Sequence, residues 1–170
     1  MGQSILSKVT WRDVMYKPFI WSCVQDCLEA EYYERLAKEF PINEDMMLYA
    51  SLKDETKNSY IHKVPARTGL TNNSLSEYWR KFINYHTSRD FWLEIVKHYK
   101  DELLEAYPQL EINIGKKLED FSVGIRQQVP VFDISLDCQF VVTDPNICDP
   151  LVPIQPPHLD EPNRLFTAAL

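Results

Sequence analysis

The feature that most constrains this chain is a change of hydrophobic period near Gly115. Ahead of it, Leu75, Tyr78, Trp79, Phe82, Ile83 and His86 fall at i, i+3, i+4, i+7, i+8 and i+11, one continuous face of an α-helix. Phe91, Trp92, Ile95, Val96, Tyr99, Leu103 and Tyr107 repeat that spacing until Pro108, whose ring and missing N–H stop a helix. Behind Gly115, Phe121, Val123 and Ile125 alternate with Ser122, Gly124 and Arg126, and Ile134, Leu136, Cys138 and Phe140 alternate with Ser135, Asp137 and Gln139. Alternation of that kind is the signature of half-buried strands. Helices first and strands afterwards predict an α+β arrangement, with the helices buttressing one side of a largely antiparallel sheet.

Local signals place the remaining elements. Ser74 with Glu77, and Thr87 with Asp90, read as starts of the two aromatic-striped helices. Asp26 with Glu29 forms another capping pair, followed by Leu28, Tyr32, Leu36 and Phe40 at four-residue spacing until Pro41. Phe19 to Val24 is aromatic and β-branched enough for a short strand, and Asn43 to Arg67 reads as loop with a short strand near Tyr60 to Val64. Aromatic residues at helical spacing are expected in the core, against the other reading of the stripes as a ligand wall.

Composition narrows the function classes. A chain of 170 residues, 45% hydrophobic, supports one core, so residues 1–170 are expected to form a single domain, 1–115 mainly helical support and 116–170 mainly strands. A net charge of −7 argues against nucleic acid, whose binding is driven by Lys and Arg displacing counterions. No apolar run approaches the roughly 20 residues that span a bilayer, and no basic and apolar leader opens the chain. Met1-Gly2 lacks the Ser or Thr that a myristoylation motif wants where Leu6 stands. Cys23, Cys27, Cys138 and Cys148 show no paired metal spacing and read as free thiols of a cytoplasmic protein. The apolar run Leu165 to Leu170 has strand length and no following turn, which predicts an N-terminal piece of a longer protein.

One constellation carries chemistry. Thr143 to Pro157 holds five prolines and can be neither helix nor central strand, so it is expected to form an ordered approach to Pro157-His158-Leu159-Asp160. In an extended segment residues i and i+2 share a face, which brings the His158 imidazole and the Asp160 carboxylate to one point. Two histidines and a carboxylate on one face of an octahedron hold Fe(II) and leave positions open for other ligands. The competing reading is a loop histidine hydrogen-bonded to a nearby carboxylate. Asp137 and Gln139 share the polar face of the strand leading toward this motif, either lining an interior where they orient a bound molecule or facing solvent. Arg126 and Arg164 are available as anion contacts, but exposed arginines are common and neither is singled out.

Beside these readings, the chain resembles the Fe(II)/2-oxoglutarate-dependent oxygenases, in particular a microbial group of that family. The resemblance runs through Lys17-Pro18-Phe19, Glu39-Phe40-Pro41, Pro65-Ala66-Arg67, Leu70-Thr71-Asn72, the stretch Phe82 to Ser88, and Leu136-Asp137-Cys138-Gln139. Its most specific part is Pro157 to Phe166. It implies a double-stranded β-helix (cupin-like jelly-roll) barrel, incomplete in this chain and supported by the N-terminal helices. It also implies that His158 and Asp160 are the first His and the acid of an iron triad, with 2-oxoglutarate as cosubstrate, dioxygen as co-reactant and an unnamed substrate. In that family the second iron-binding His and the cosubstrate-binding Arg lie downstream of the motif, beyond Leu170 here. His62, His86 and His98 precede the barrel, two of them in predicted helices, and none is taken as the third ligand. The 170-residue chain alone is then expected to be inactive. The alternative is a non-catalytic small-molecule-binding or structural barrel that retains His-x-Asp.

Overall fold

The computed structural model describes residues 4–17, 20–41, 61–143 and 164–168. Among them, in chain order, lie β1 (Val14–Met15), β2 (Trp21–Ser22), α1 (Ala30–Lys38), β3 (Ile61–Val64), α2 (Ala66–Thr71), α3 (Glu77–His86) and α4 (Arg89–Ala106). They are followed by α5 (Leu110–Ile114), β4 (Val123–Ile125), β5 (Ile134–Leu136) and β6 (Phe140–Thr143), with single 3₁₀ turns at Trp11–Asp13 and Leu118–Asp120.

Most of the two helical stripes is core, although Tyr78 of the first is exposed. In α4, Phe91, Trp92, Ile95, Val96, Tyr99 and Leu103 are buried against Leu6, Val9, Leu118, Phe121 and Ile134. In α3, Trp79, Phe82 and Ile83 are buried in a second cluster with Leu36, Val64, Leu75 and Phe140. Each buried indole has an acceptor, because an unpaired N–H in an apolar interior costs free energy. Trp92 Nε1 donates to the Leu118 carbonyl at 2.8 Å and Trp79 Nε1 to the Leu36 carbonyl at 3.0 Å. Both bonds stitch a helix to a segment distant in sequence.

Helix starts differ from expectation by one to three residues. Ser76, not Ser74, caps α3 by accepting the Trp79 N–H, because the Asn72 side chain takes both the Ser74 N–H and its hydroxyl. Ser88, not Thr87, caps α4 through the Phe91 N–H, the Thr87 hydroxyl donating back to the Ile83 carbonyl. Asp26 has φ of +51°, a left-handed conformation that Asp tolerates. A cap residue needs extended geometry, so the expected Asp26 start is lost and α1 begins at Ala30.

The described strands form three pairs. β1–β2 and β3–β6 are antiparallel, while β4–β5 is parallel, with Gly124 opposite Ser135. A parallel pair ordinarily needs a crossover of a dozen or more residues, whereas residues 126–133 make this one. The connection turns at Gln127 (φ +67°) and is held by the Gln128 side chain accepting the Ile125 N–H and by Asp133 accepting the Ser122 N–H. The Phe132 ring folds over Gly124, where a Cβ would lie 2.1 Å from the ring, so only glycine lets the loop close. Among the described residues two of the three pairs are antiparallel, and the pairs form three separate two-stranded sheets where the sequence predicts one largely antiparallel sheet.

Candidate functional site

His158 and Asp160 lie outside the described residues. Both flanks of their segment are described. On one side β6 carries the chain to Thr143, paired with β3 so that the His62 backbone stands opposite Val142. On the other side the Arg164 carbonyl accepts the Tyr107 hydroxyl at 3.3 Å, and the Phe166 ring lies 5.7 Å from that of Tyr99. The first flank belongs to the α3 core through Phe140, and the second packs on the α4 core through Leu165 and Phe166.

Asp137 and Gln139 occupy the connection between β5 and β6. One Asp137 oxygen accepts the Ala66 N–H at 2.8 Å, satisfying a donor at the start of α2, where Pro65 in the N-cap position has no side-chain acceptor. The other accepts the Gln139 side-chain amide at 2.6 Å. Asp137 is half-buried and Gln139 exposed, so the two polar residues form one hydrogen-bonded unit tied to a helix start. Between them Cys138 packs against the α3 core, and burial, with the Asp137 charge adding to it, pushes its thiol up to about 12. It stays protonated and is a poor metal ligand.

Of the other histidines whose side chains are described, His86 is structural and His98 is half-buried. His86 is buried, its Nδ1 2.8 Å from the Phe82 carbonyl and its Nε2 3.2 Å from the Ile5 N–H. A carbonyl only accepts and an amide N–H only donates, so Nδ1 carries the proton and Nε2 its lone pair. Burial holds its pKa down at about 4, against the weaker opposing effects of the Phe82 hydrogen bond and the Glu94 charge. His98 is lowered too, by burial and then by Lys97. Among the described residues no group of three or more His, Cys, Asp or Glu is arranged to hold a metal.

Two features carried no signal in the sequence. Glu94 accepts both the Ser4 hydroxyl and, at 2.8 Å, the Tyr85 hydroxyl, fastening the N-terminal segment to the α3–α4 corner. Beside that segment lies a cavity of about 860 Å³, partly open to solvent, bounded by residues of the N-terminal segment, β1–β2, the second half of α4 and residues 164–168. α4 leaves helical geometry at Tyr99 (φ −135°, ψ 19°), on the cavity wall. Three tyrosines stand around it with their hydroxyls engaged: Tyr16 donates to Glu102 at 2.7 Å, Tyr99 to Ser22 Oγ at 3.0 Å, and Tyr107 to the Arg164 carbonyl. Four separate segments build this wall, so no local period could reveal it.

No protein-family model, curated protein or solved structure matches the chain. Among the described residues no helix is long and apolar enough to cross a membrane.

Proposed function

We propose that the chain contributes the iron-binding start of a cytoplasmic Fe(II)/2-oxoglutarate-dependent dioxygenase, with His158 and Asp160 as two of three metal ligands. The observation that carries this reading is the sequence Pro157-His158-Leu159-Asp160, reached through a proline-rich approach from β6. Imidazole with carboxylate, and no thiolate beside them in sequence, is a donor set suited to Fe(II). The chemistry supplied at such a site is oxidative decarboxylation of 2-oxoglutarate to succinate with dioxygen, coupled to oxidation of a substrate C–H bond. Under this reading a further His and an Arg complete the site, and neither role is assigned to a residue of this chain.

This chain's own residues have narrower tasks. His158 and Asp160 hold the cation. Gln139, exposed and fixed by Asp137, is assigned to orient the cosubstrate by hydrogen bonding, with Asp137 acting as its positioning residue. The Asp137 link to Ala66 N–H supports this division, since one carboxylate oxygen is already committed to the helix start.

Calorimetric titration with Mn(II), a redox-silent substitute for Fe(II), tests the assignment. The chain is expected to bind weakly through two ligands and to lose binding in His158→Ala and in Asp160→Ala. Unchanged affinity in both variants would remove the proposal. Any longer protein that adds a second His and an Arg should form succinate from 2-oxoglutarate in a His158-dependent way even without its substrate, whereas a binding barrel should not.

A further inference from the structure

We propose that the cavity between the N-terminal segment, β1–β2, α4 and residues 164–168 is a binding site for a neutral, largely apolar small molecule. Its volume of about 860 Å³ lies within the range of roughly 300–1,000 Å³ typical of small-molecule sites. Protein interiors are otherwise close-packed, so a space of this size with apolar walls is a place for an occupant. The wall includes Leu6, Val9, Val24, Leu103, Leu165 and Phe166.

The hydrogen bonds around the cavity decide the chemistry of the occupant. Tyr16 donates to Glu102, Tyr99 to Ser22 and Tyr107 to the Arg164 carbonyl, so the hydroxyl protons of these three lining tyrosines are already engaged. The two charged residues of the wall, Glu102 and Arg164, are opposite in sign, so their charges give no net preference for an anion or a cation. An ionic ligand would lose its hydration without a dedicated partner. A neutral molecule with a ring or alkyl body meets apolar and aromatic surface over most of the wall, with Ser22, Glu102, Arg164 and Thr167 as its polar points.

Position adds a role, and this part rests on the oxygenase reading. Residues 164–168 supply one wall of the cavity and follow Asp160 by a few positions in sequence. The occupant is then the organic molecule whose C–H bond is oxidised.

The test uses N-phenyl-1-naphthylamine, a neutral probe whose fluorescence rises in apolar surroundings, titrated into the full chain. Saturable binding is expected, weakened at least about tenfold in Ala106→Trp and in Val24→Trp, two lining positions on different segments. Circular dichroism of each variant shows that it is folded. The sulfonated analogue 8-anilinonaphthalene-1-sulfonate should bind about tenfold more weakly than the neutral probe. His158→Ala should leave probe affinity within about twofold while abolishing the Mn(II) response. Absence of probe binding, or binding unchanged in both folded filling variants, would overturn the site, and equal affinity for the sulfonate would overturn the neutral class. Probe binding without any Mn(II) binding keeps the site and removes the oxygenase role. Mn(II) binding without probe binding does the reverse.

Discussion

The backbone N–H of Ile5 donates to Nε2 of His86 across 3.2 Å, joining the N-terminal segment to the end of α3. The bond requires a neutral ring. The folded protein holds His86 at about 4, against an ordinary value of 6.5. As pH falls through 6.5 the unfolded chain takes up a proton that the folded protein refuses until about 4. The unfolded state therefore binds more protons in that window, and stability drops as pH falls through it and is level above it. The loss should be on the order of 3 kcal/mol by pH 4. Urea unfolding at a series of pH values, compared with His86→Gln, checks it: the variant should lack this share of the acid slope.

Trp79 and Trp92 are both buried. Replacing either by Ala should destabilise by roughly 3–5 kcal/mol. Replacement of Trp79 by Phe keeps most of the volume but strands the Leu36 carbonyl, for a loss of about 1–3 kcal/mol, whereas the Leu118 carbonyl still accepts the Phe121 N–H and Trp92→Phe should cost less. Denaturant midpoints measure both. A silent Trp92→Ala would contradict its place in the α4 core.

Gly124 and Phe132 should be strongly coupled. A methyl at position 124 meets the Phe132 ring, so Gly124→Ala is expected to cost about 1–3 kcal/mol by overpacking. In a Phe132→Ala background the obstruction is gone and the same change should cost much less. A double-mutant cycle on unfolding free energies gives the coupling, and additive effects would mean the ring does not sit over Gly124.

Asp137→Ala removes the acceptor of both the Ala66 N–H and the Gln139 amide. A loss of about 1–3 kcal/mol is expected, with Asp137→Asn milder because its carbonyl oxygen can still accept one of them. Thermal unfolding reads the structural share. Gln139→Ala, which leaves the Ala66 bond intact, should weaken 2-oxoglutarate binding with little effect on melting if the division of labour between these residues is right.

The helical half was legible because its signal is repetitive. Trp79, Phe82 and Ile83, and then Phe91, Trp92, Ile95 and Val96, recur at a spacing only one helix face can satisfy, and all are buried. The exact starts were less legible, since Ser74 and Ser76 are equally good caps until Asn72 engages one of them. The parallel β4–β5 pair was hidden because alternation of residue types does not tell a parallel partner from an antiparallel one, and the fit of Phe132 over Gly124 leaves no period in the sequence. Asp137 and Gln139 alternate in the sequence as if on one strand face, but β5 ends at Leu136 and both lie in its connection to β6, and the link to Ala66 gave no signal because it joins positions 71 residues apart. The role proposed for His158 and Asp160 rests on their residue types and spacing alone, since both lie outside the described residues.

Val64 faces Phe140 and Ile61 faces Thr143 across β3–β6, with both long helices lying between these strands in the chain. Closing so long a loop costs entropy before any ladder bond rewards it, and non-local pairing of this kind slows folding. The α3–α4 pair, joined at Thr87 and built from local contacts, is the natural first structure, and it brings the two strands near enough to meet.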